Sequence, residues 1–281
     1  MPRASRVLLD GLRFPEGPRW RGDRLWLSDM HAGVVLAVDL AGRVETIVAV
    51  PNQPSGLGWD PEGRLLVVSM KDRRLLRLEA RGLARVADLA PFASFHCNDM
   101  VVDGGGRAYV GNFGFDLHGG AKPAPANLVL VHPGGHAEIA ASDLQFPNGT
   151  VITPDGRTLI VGESFGARLT AFDVAGDGRL SNRRVWAPLE KAVPDGICLD
   201  AEGAIWVASP VSNEVLRVRE GGAVAERIAV DRSAIACMLG GPERRTLFVC
   251  TARAHDPAET GDRQGRIEAI EVEVPGAGWP G

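Results

Sequence analysis

The chain has 281 residues, 45% of them hydrophobic, and is long enough to bury a substantial core. Its formal net charge of -4 gives no basic excess of the kind that nucleic-acid binding requires, so we expect no nucleic-acid partner. No apolar stretch approaches the length that spans a bilayer, so we expect no membrane partner.

The N-terminal residues and the cysteines bear on the compartment. Only three consecutive apolar residues, 7–9, follow the basic start of the chain, which is too short for the core of a signal peptide. The four cysteines show no C-x-x-C spacing and lie in or near apolar stretches, which is typical of buried, reduced thiols. We therefore expect a cytoplasmic protein.

A short β-rich segment, preceded by a turn with glycine or an acidic residue, recurs six times. The copies lie at residues 21–28, 60–68, 103–110, 154–161, 200–207 and 242–249. They align on Trp26, Leu66, Tyr109, Ile160, Trp206 and Phe248. The steps between these residues are 40, 43, 51, 46 and 42, the length of a four-stranded propeller blade. The sequence therefore predicts an all-β fold, a six-bladed β-propeller of four-stranded antiparallel blades.

The rest of the chain agrees with this architecture. Second alternating runs follow most copies, at residues 34–38, 74–78, 128–131, 168–172 and 214–218. Helical periodicity is nearly absent, which disfavours a parallel sheet because its crossovers need helices. The copies fill residues 1–281, which predicts a single propeller domain. We expect a strand at residues 6–9 to pair with the last run, 267–274, and close the ring.

Three Pro-x-Gly tripeptides each place one oxygen-bearing side chain shortly before a copy. They carry Glu16, Asn148 and Asp195, and the pair Asn98-Asp99 stands before the third copy. If the copies are the innermost strands, the loops entering them face the central channel and converge there. Carboxylate and amide oxygens without thiolate suit a hard divalent cation. We therefore predict a metal site of Glu16, Asn98, Asn148 and Asp195, with Ca²⁺ first and Zn²⁺, Mn²⁺ or Mg²⁺ as alternatives.

Simpler interpretations stay open for each of these residues. Asn-Gly and Asp-Gly are ordinary turn dipeptides, so any one of the tripeptides could be only a turn. A turn role does not explain why the acid or amide falls before a copy rather than in a hairpin. The chain has no G-x-S-x-G elbow, P-loop or dinucleotide fingerprint, and no serine is placed for a Ser–His–Asp triad.

In combination the motifs resemble the SMP-30/gluconolactonase/LRE-like family. The resemblance is carried by FPEGPRW at 14–20, Asn98-Asp99, PNG at 147–149, PDGICLD at 194–200 and GGPERRTLF at 240–248. It covers essentially the whole chain and implies a six-bladed propeller with a divalent metal on its axis. It implies Glu16, Asn148 and Asp195 as metal ligands, with Asn98 at or next to the metal. It also implies an enzyme, because many members open lactones and relatives hydrolyse organophosphates.

The sequence departs from the sugar-lactonase pattern of this family near the third copy. That pattern has an arginine two residues before the Asn-Asp pair, where it contacts substrate hydroxyls, and this chain has His96. The long loop at 111–126 carries two aromatic residues and is expected to cover the central mouth. The predicted substrate contacts are His96, Asn98, Asn112, Phe113, Phe115, Asp116 and His118. We infer a substrate less polar than a sugar lactone.

The predicted function is metal-dependent hydrolysis of a lactone by metal-activated water. Asp195 is the first candidate for the general base and Asp99 the second, and His96 could donate to the leaving alkoxide or orient the substrate. A metal-dependent phosphotriesterase and a metal-bearing lyase, hydratase or isomerase stay open as alternatives, and a non-enzymatic binding platform ranks last. We expect a small-molecule substrate and a monomer or weak homo-oligomer.

Overall fold

The computed structural model describes residues 5–253 and 263–280, which form six four-stranded antiparallel sheets. The strands are β1 (Ser5–Leu12), β2 (Pro15–Arg21), β3 (Arg24–Asp29), β4 (Val34–Val38), β5 (Val44–Ala49), β6 (Pro54–Trp59), β7 (Leu65–Ser69), β8 (Arg74–Glu79), β9 (Gly82–Asp88), β10 (Cys97–Val102), β11 (Ala108–Asn112), β12 (Ala126–Val131), β13 (Ala137–Leu144), β14 (Pro147–Ile152), β15 (Thr158–Glu163), β16 (Arg168–Val174), β17 (Leu180–Pro188), β18 (Ile197–Leu199), β19 (Ile205–Ser209), β20 (Glu214–Val218), β21 (Val224–Ala229), β22 (Ser233–Gly240), β23 (Thr246–Ala252) and β24 (Gly265–Glu271). Two short 3₁₀ helices span Met30–Ala32 and Ser164–Gly166.

The sheets are the blades of a six-bladed β-propeller, which confirms the predicted fold. Blades 1 to 5 each consist of four consecutive strands, β2–β5, β6–β9, β10–β13, β14–β17 and β18–β21. Blade 6 combines β22–β24 with β1, which pairs antiparallel with β24, Ser5 opposite Ile270. The predicted closure of the ring by the N-terminal strand is therefore confirmed, and it covers the edge of the last blade.

The repeated segments are the second strands of the blades, so their assignment as innermost strands was wrong. The first strands of neighbouring blades contact one another, which makes β2, β6, β10, β14, β18 and β22 innermost. The copy at 21–28 leads into β3, and the copy at 103–110 leads into β11. The innermost strands carry proline, glycine and polar residues where they meet the channel, so they lack the apolar run that identifies their neighbours.

The second strands are continuously apolar because neighbouring blades bury both of their faces. Tyr109 packs in a cluster with Leu159 of blade 4, and the next residue, Val110, packs in a cluster with Leu66 of blade 2. Successive side chains of a strand point to opposite faces, so a blade between two others needs apolar residues at every position. This packing produces the strong repeat in the sequence.

Glycine allows the innermost strands of adjacent blades to approach closely. A Cβ on Gly149 would lie 2.5 Å from the carbonyl oxygen of Asp195 in the segment leading into blade 5. A Cβ on Gly17 would lie 2.8 Å from the carbonyl oxygen of Ser55 in blade 2, and Gly17 has a φ of +53°. The glycine of the tripeptide therefore permits a close contact between blades, which brings the oxygen-bearing residues of different blades together.

All four cysteines are buried free thiols, and the sulfur atoms of Cys198 and Cys237 lie 3.8 Å apart. In the described ranges, no helix has the length and apolar character needed to cross a membrane.

Candidate active site

A cavity of about 710 Å³ opens where the innermost strands of blades 1 to 5 begin. Its lining includes all four residues predicted as metal ligands: Glu16, Asn98, Asn148 and Asp195. The first three are buried second residues of β2, β10 and β14, and Asp195 is a half-buried residue two positions before β18. Residues that are far apart in the sequence therefore meet at equivalent places in four blades.

A register irregularity lies at the start of the innermost strands. It occurs between Glu16 and Arg19, between Pro54 and Leu57, between Cys97 and Met100, and between Pro147 and Thr150. Such bulges change the direction of side chains and are frequent next to functional sites. Here they coincide with the positions of three predicted ligands.

Hydrogen bonds fix the amide of Asn148. Its Nδ2 donates to Oδ1 of Asp195 at 2.6 Å and to Oγ of Ser164 at 3.3 Å. The Ser164 hydroxyl in turn donates to the carbonyl oxygen of Pro194 at 2.7 Å. The Nδ2 group of Asn148 therefore donates two hydrogen bonds, whereas its buried Oδ1 has no hydrogen-bond partner in the described structure. A buried acceptor without a partner is an atom that a cation could complete.

The ionised forms of the two carboxyl groups of the site, Glu16 and Asp195, are electrostatically unfavourable. Burial, and then the charges of Asp195 and Asp99, raise the pKa of Glu16 well above its usual range, although the amide of Gly17 and the charge of Arg19 oppose this. Burial also raises the pKa of Asp195 to about 8, against the hydrogen bond from Asn148. A cation among these groups would favour their ionised forms.

The donor set fits a hard cation. Two carboxylates and two amides offer oxygen atoms, which Ca²⁺ and Mg²⁺ prefer. Across residues 5–253 and 263–280, no three His, Cys, Asp or Glu side chains group to hold a metal, so a cation here would depend on the amides as well. Burial raises the pKa of the adjacent Cys97 thiol to about 12, which disfavours a thiolate ligand.

Asp99, the second candidate for the base, is bound to Arg19 and is not part of the cavity lining. Nη2 of Arg19 donates to Oδ1 of Asp99 at 2.6 Å, and the amide of Met100 donates to the same oxygen at 2.8 Å. The guanidinium also donates to the carbonyl oxygens of Leu57 and Met100. The pair is almost fully buried and links blades 1, 2 and 3, so its contacts are those of a structural element.

His96 lines the cavity, and its ring stacks on Phe95 with ring centroids 4.1 Å apart. Burial lowers the pKa of His96, the charge of Lys71 lowers it further, and Asp116 opposes this. The imidazole is therefore mainly neutral near pH 7 and can donate one N–H.

The structure divides the other predicted substrate contacts into two groups. Phe113 and His118 line the cavity together with Asn98 and His96. Asn112, Phe115 and Asp116 lie outside the lining, where they have other partners. Asn112 donates to the carbonyl of Asn127 at 2.7 Å, Asp116 accepts from the amide of Gly119 at 2.8 Å, and Phe115 packs on other aromatic rings. These residues shape the loop that carries Phe113.

The residues that lie two positions before a polar residue at or just before the start of an innermost strand also line the cavity. The polar residues in question are Glu16, Ser55, Asn98, Asn148 and Asp195. These positions hold Phe14, Gln53, His96, Phe146 and Val193, and all five line the cavity. Each of these residues is separated from the polar residue by one position, which is a proline in four of the five segments and Cys97 in the fifth. The sequence contained this signal, including a fourth Pro-x-Gly tripeptide at 54–56 that the prediction did not use. Ser164, Phe165 and Val211 also line the cavity, and no motif marks them.

Residues 14–253 match the family described as SMP-30/gluconolactonase/LRE-like region. The chain belongs to this family. Pentonolactonase XacC of Haloferax volcanii is 25% identical to this chain, and the match covers 97% of this chain and 95% of the relative. The 6-deoxy-6-sulfogluconolactonase of Pseudomonas putida is 26% identical, and the match covers 94% of this chain and 93% of the relative. The structure of a gluconolactonase from Xanthomonas campestris is 25% identical, with a TM-score of 0.77 and coverage of 96% and 89%.

Proposed function

We propose that this family member is a divalent-metal-dependent hydrolase that opens a lactone. The observation that carries the proposal is the convergence of Glu16, Asn98, Asn148 and Asp195 at one cavity, with the buried Oδ1 of Asn148 unpaired in the described structure. Three similar proteins of nearly the same length are named as lactonases, which supports the reaction. The mostly apolar remainder of the cavity supports a substrate less polar than a sugar lactone.

Glu16, Asn98, Asn148 and Asp195 would hold the cation, with Ca²⁺ as our first choice. When bound, such a cation supplies Lewis-acid chemistry, which polarises an ester carbonyl and favours ionisation of a neighbouring water.

Asp195 is our candidate for the general base. Asn148 holds Oδ1 of Asp195, which leaves Oδ2 to accept a proton from the water that attacks the carbonyl carbon. As the ring C–O bond breaks, the same carboxyl group returns the proton to the leaving alkoxide, so the products are those of adding one water to the lactone. His96, held neutral by burial, would donate its N–H to an oxygen of the substrate and orient the ring.

Removal of divalent cations is expected to lower lactone hydrolysis by about a hundredfold or more. The reason is that Glu16, Asn98, Asn148 and Asp195, which we call the cavity floor, would lose the charge that compensates them. The measurement is turnover of a lactone panel by the purified protein, by chelator-treated protein, and after addition of Ca²⁺, Mg²⁺, Mn²⁺ or Zn²⁺. Calorimetric titration should show about one strong cation site per chain. Full activity of the chelated protein would contradict the proposal, and hydrolysis of a phosphotriester without any lactone turnover would favour the phosphotriesterase.

Ser164→Ala is expected to weaken cation binding about 10- to 100-fold, because the hydroxyl that positions Asn148 and the Pro194 carbonyl is lost. Ser164→Thr, which keeps the hydroxyl, should restore most of the affinity. Tyr109→Phe is the matched control, since Tyr109 also donates a hydroxyl to a carbonyl of the next blade at 2.7 Å, but outside the cavity. The measurement is calorimetric titration with Ca²⁺. Equal affinities for all three variants would show that Ser164 has no positioning role.

A further inference from the structure

Exposed apolar side chains are unevenly distributed over the described residues. Five large ones lie on the outermost strands of their blades: Val7, Val44, Ile139, Val185 and Val224. Three others, Leu117, Phe165 and Val211, lie between the second and third strands of blades 3, 4 and 5, and all three line the cavity. We call these three residues the apolar rim. Exposed apolar groups gathered at the mouth of a cavity mark a surface that a ligand covers.

Aromatic rings continue the apolar rim into the cavity. The rings of Phe113 and Phe146 stack with centroids 4.5 Å apart, and Phe146 lies 5.4 Å from Phe165. Phe146 has a φ of +62°, a conformation that a bulky residue rarely adopts. The amide of Ser164 donates to the carbonyl of Phe146 at 3.1 Å, and Pro147 follows it directly. A costly backbone conformation kept at a cavity wall is typical of a functional position.

Polar side chains are unevenly distributed among the blades that line the cavity. Gln53, Lys71, His96 and His118 belong to the parts of the lining contributed by blades 2 and 3. On blades 4 and 5, every lining residue is apolar apart from Asn148, Ser164 and Asp195. A bound molecule would therefore place its polar groups toward the oxygen-bearing residues and the polar side chains of blades 2 and 3. An apolar group would lie along blades 4 and 5 and the adjoining Phe113 ring of blade 3, which stacks on Phe146.

We propose that the substrate is a lactone with an apolar substituent, an alkyl chain or an aryl group, which lies along Phe113, Phe146 and Phe165. The substituent reaches solvent between Phe165 and Val211, which are 50% and 67% exposed. This inference rests on the proposed function, because it places the lactone ring at the oxygen-bearing residues of the floor. Phe165 and Val211 are then residues that determine specificity.

A homologous series of γ-lactones tests the inference. The ring carbon next to the ring oxygen carries no substituent or a methyl, butyl, hexyl or octyl chain, and kcat/KM is measured for each. We expect about a fourfold rise for each added methylene up to the butyl or hexyl compound, since burial of a methylene contributes about 0.8 kcal/mol. A polyhydroxylated lactone of the same ring size should be a poorer substrate than the butyl compound.

Variants of the apolar rim connect this preference to the structure. Phe165→Ser and Val211→Ser should each reduce the ratio of kcat/KM between the octyl and methyl lactones at least fivefold, and the double variant should reduce it further. Val185→Ser is the matched control, because Val185 is 57% exposed on β17 and lies outside the cavity, and its ratio should equal that of the wild type. Equal reductions in all variants would overturn the assignment of Phe165 and Val211.

The outcomes separate this inference from the proposed function. If metal-dependent hydrolysis occurs and chain length has no effect, the apolar substituent is wrong and the hydrolase stands. If no lactone is hydrolysed, binding of the corresponding γ-lactams, which resist hydrolysis, is measured by calorimetry. Affinity that rises with chain length and falls in Phe165→Ser would support the apolar binding path while the proposed reaction fails. Affinity independent of chain length would overturn the inference as well.

Discussion

Asp195→Asn is expected to lower kcat for lactone hydrolysis at least a thousandfold. The substitution removes the group that accepts the proton of the attacking water, and general bases typically contribute 10²- to 10⁴-fold. It also removes one negative charge from the predicted cation site, so Ca²⁺ affinity should fall as well. Asparagine keeps the shape of the side chain and an oxygen that can accept from Nδ2 of Asn148. The measurement is single-turnover and steady-state hydrolysis of the best lactone, with saturating Ca²⁺.

Stability distinguishes a functional role of Asp195 from a structural one. Burial raises the pKa of this carboxyl to about 8, so its ionised form is disfavoured in the metal-free fold. The metal-free Asp195→Asn protein should therefore unfold at the same or a higher urea concentration than the wild type. Asp177→Asn, in an exposed hairpin, is the control and should change neither activity nor stability. An inactive variant that is also much less stable would assign Asp195 to the fold rather than to the reaction.

The fold could be predicted because its signal is local and repeated. Each second strand is apolar at successive positions, as in the segment from Ala108 to Val110, because neighbouring blades bury both faces. The same signal places the copies one strand too close to the axis, because the strands with the strongest apolar pattern are the second strands and not the innermost ones. Closure by β1 was predictable for a different reason, which is that a propeller with one open blade would leave exposed edges.

The candidate site was predictable only where a motif marks it. The tripeptides identified Glu16, Asn148 and Asp195, which line one cavity. The partners of these residues are set by contacts between blades that no local pattern encodes. Ser164 reaches Pro194, 30 residues away, and Arg19 reaches Asp99, 80 residues away. The sequence therefore predicts Asp99 as a second candidate base, and only the structure shows its ion pair with Arg19.

Arg19→Met is expected to lower the free energy of unfolding by about 3–5 kcal/mol. The variant would leave the carboxylate of Asp99 buried without its cation, and would leave the carbonyl oxygens of Leu57 and Met100 without the donors that link three blades. Methionine retains most of the aliphatic volume, so the loss of the guanidinium dominates the effect. The measurement is equilibrium urea unfolding with saturating Ca²⁺ and without it, followed by fluorescence and circular dichroism.

A surface pair provides the matched control for Arg19. Nε of Arg43 contacts Asp39 at the same 2.6 Å distance, but its side chain is 84% exposed, whereas that of Arg19 is 3% exposed. Arg43→Met should leave the midpoint of urea unfolding almost unchanged, because water screens an exposed pair and solvates the partner that remains. The double variant Arg19→Met/Asp99→Asn should be more stable than Arg19→Met alone, since the unpaired buried charge is then removed. If Arg19→Met and Arg43→Met had equal effects, the buried pair would not be what holds the first three blades together.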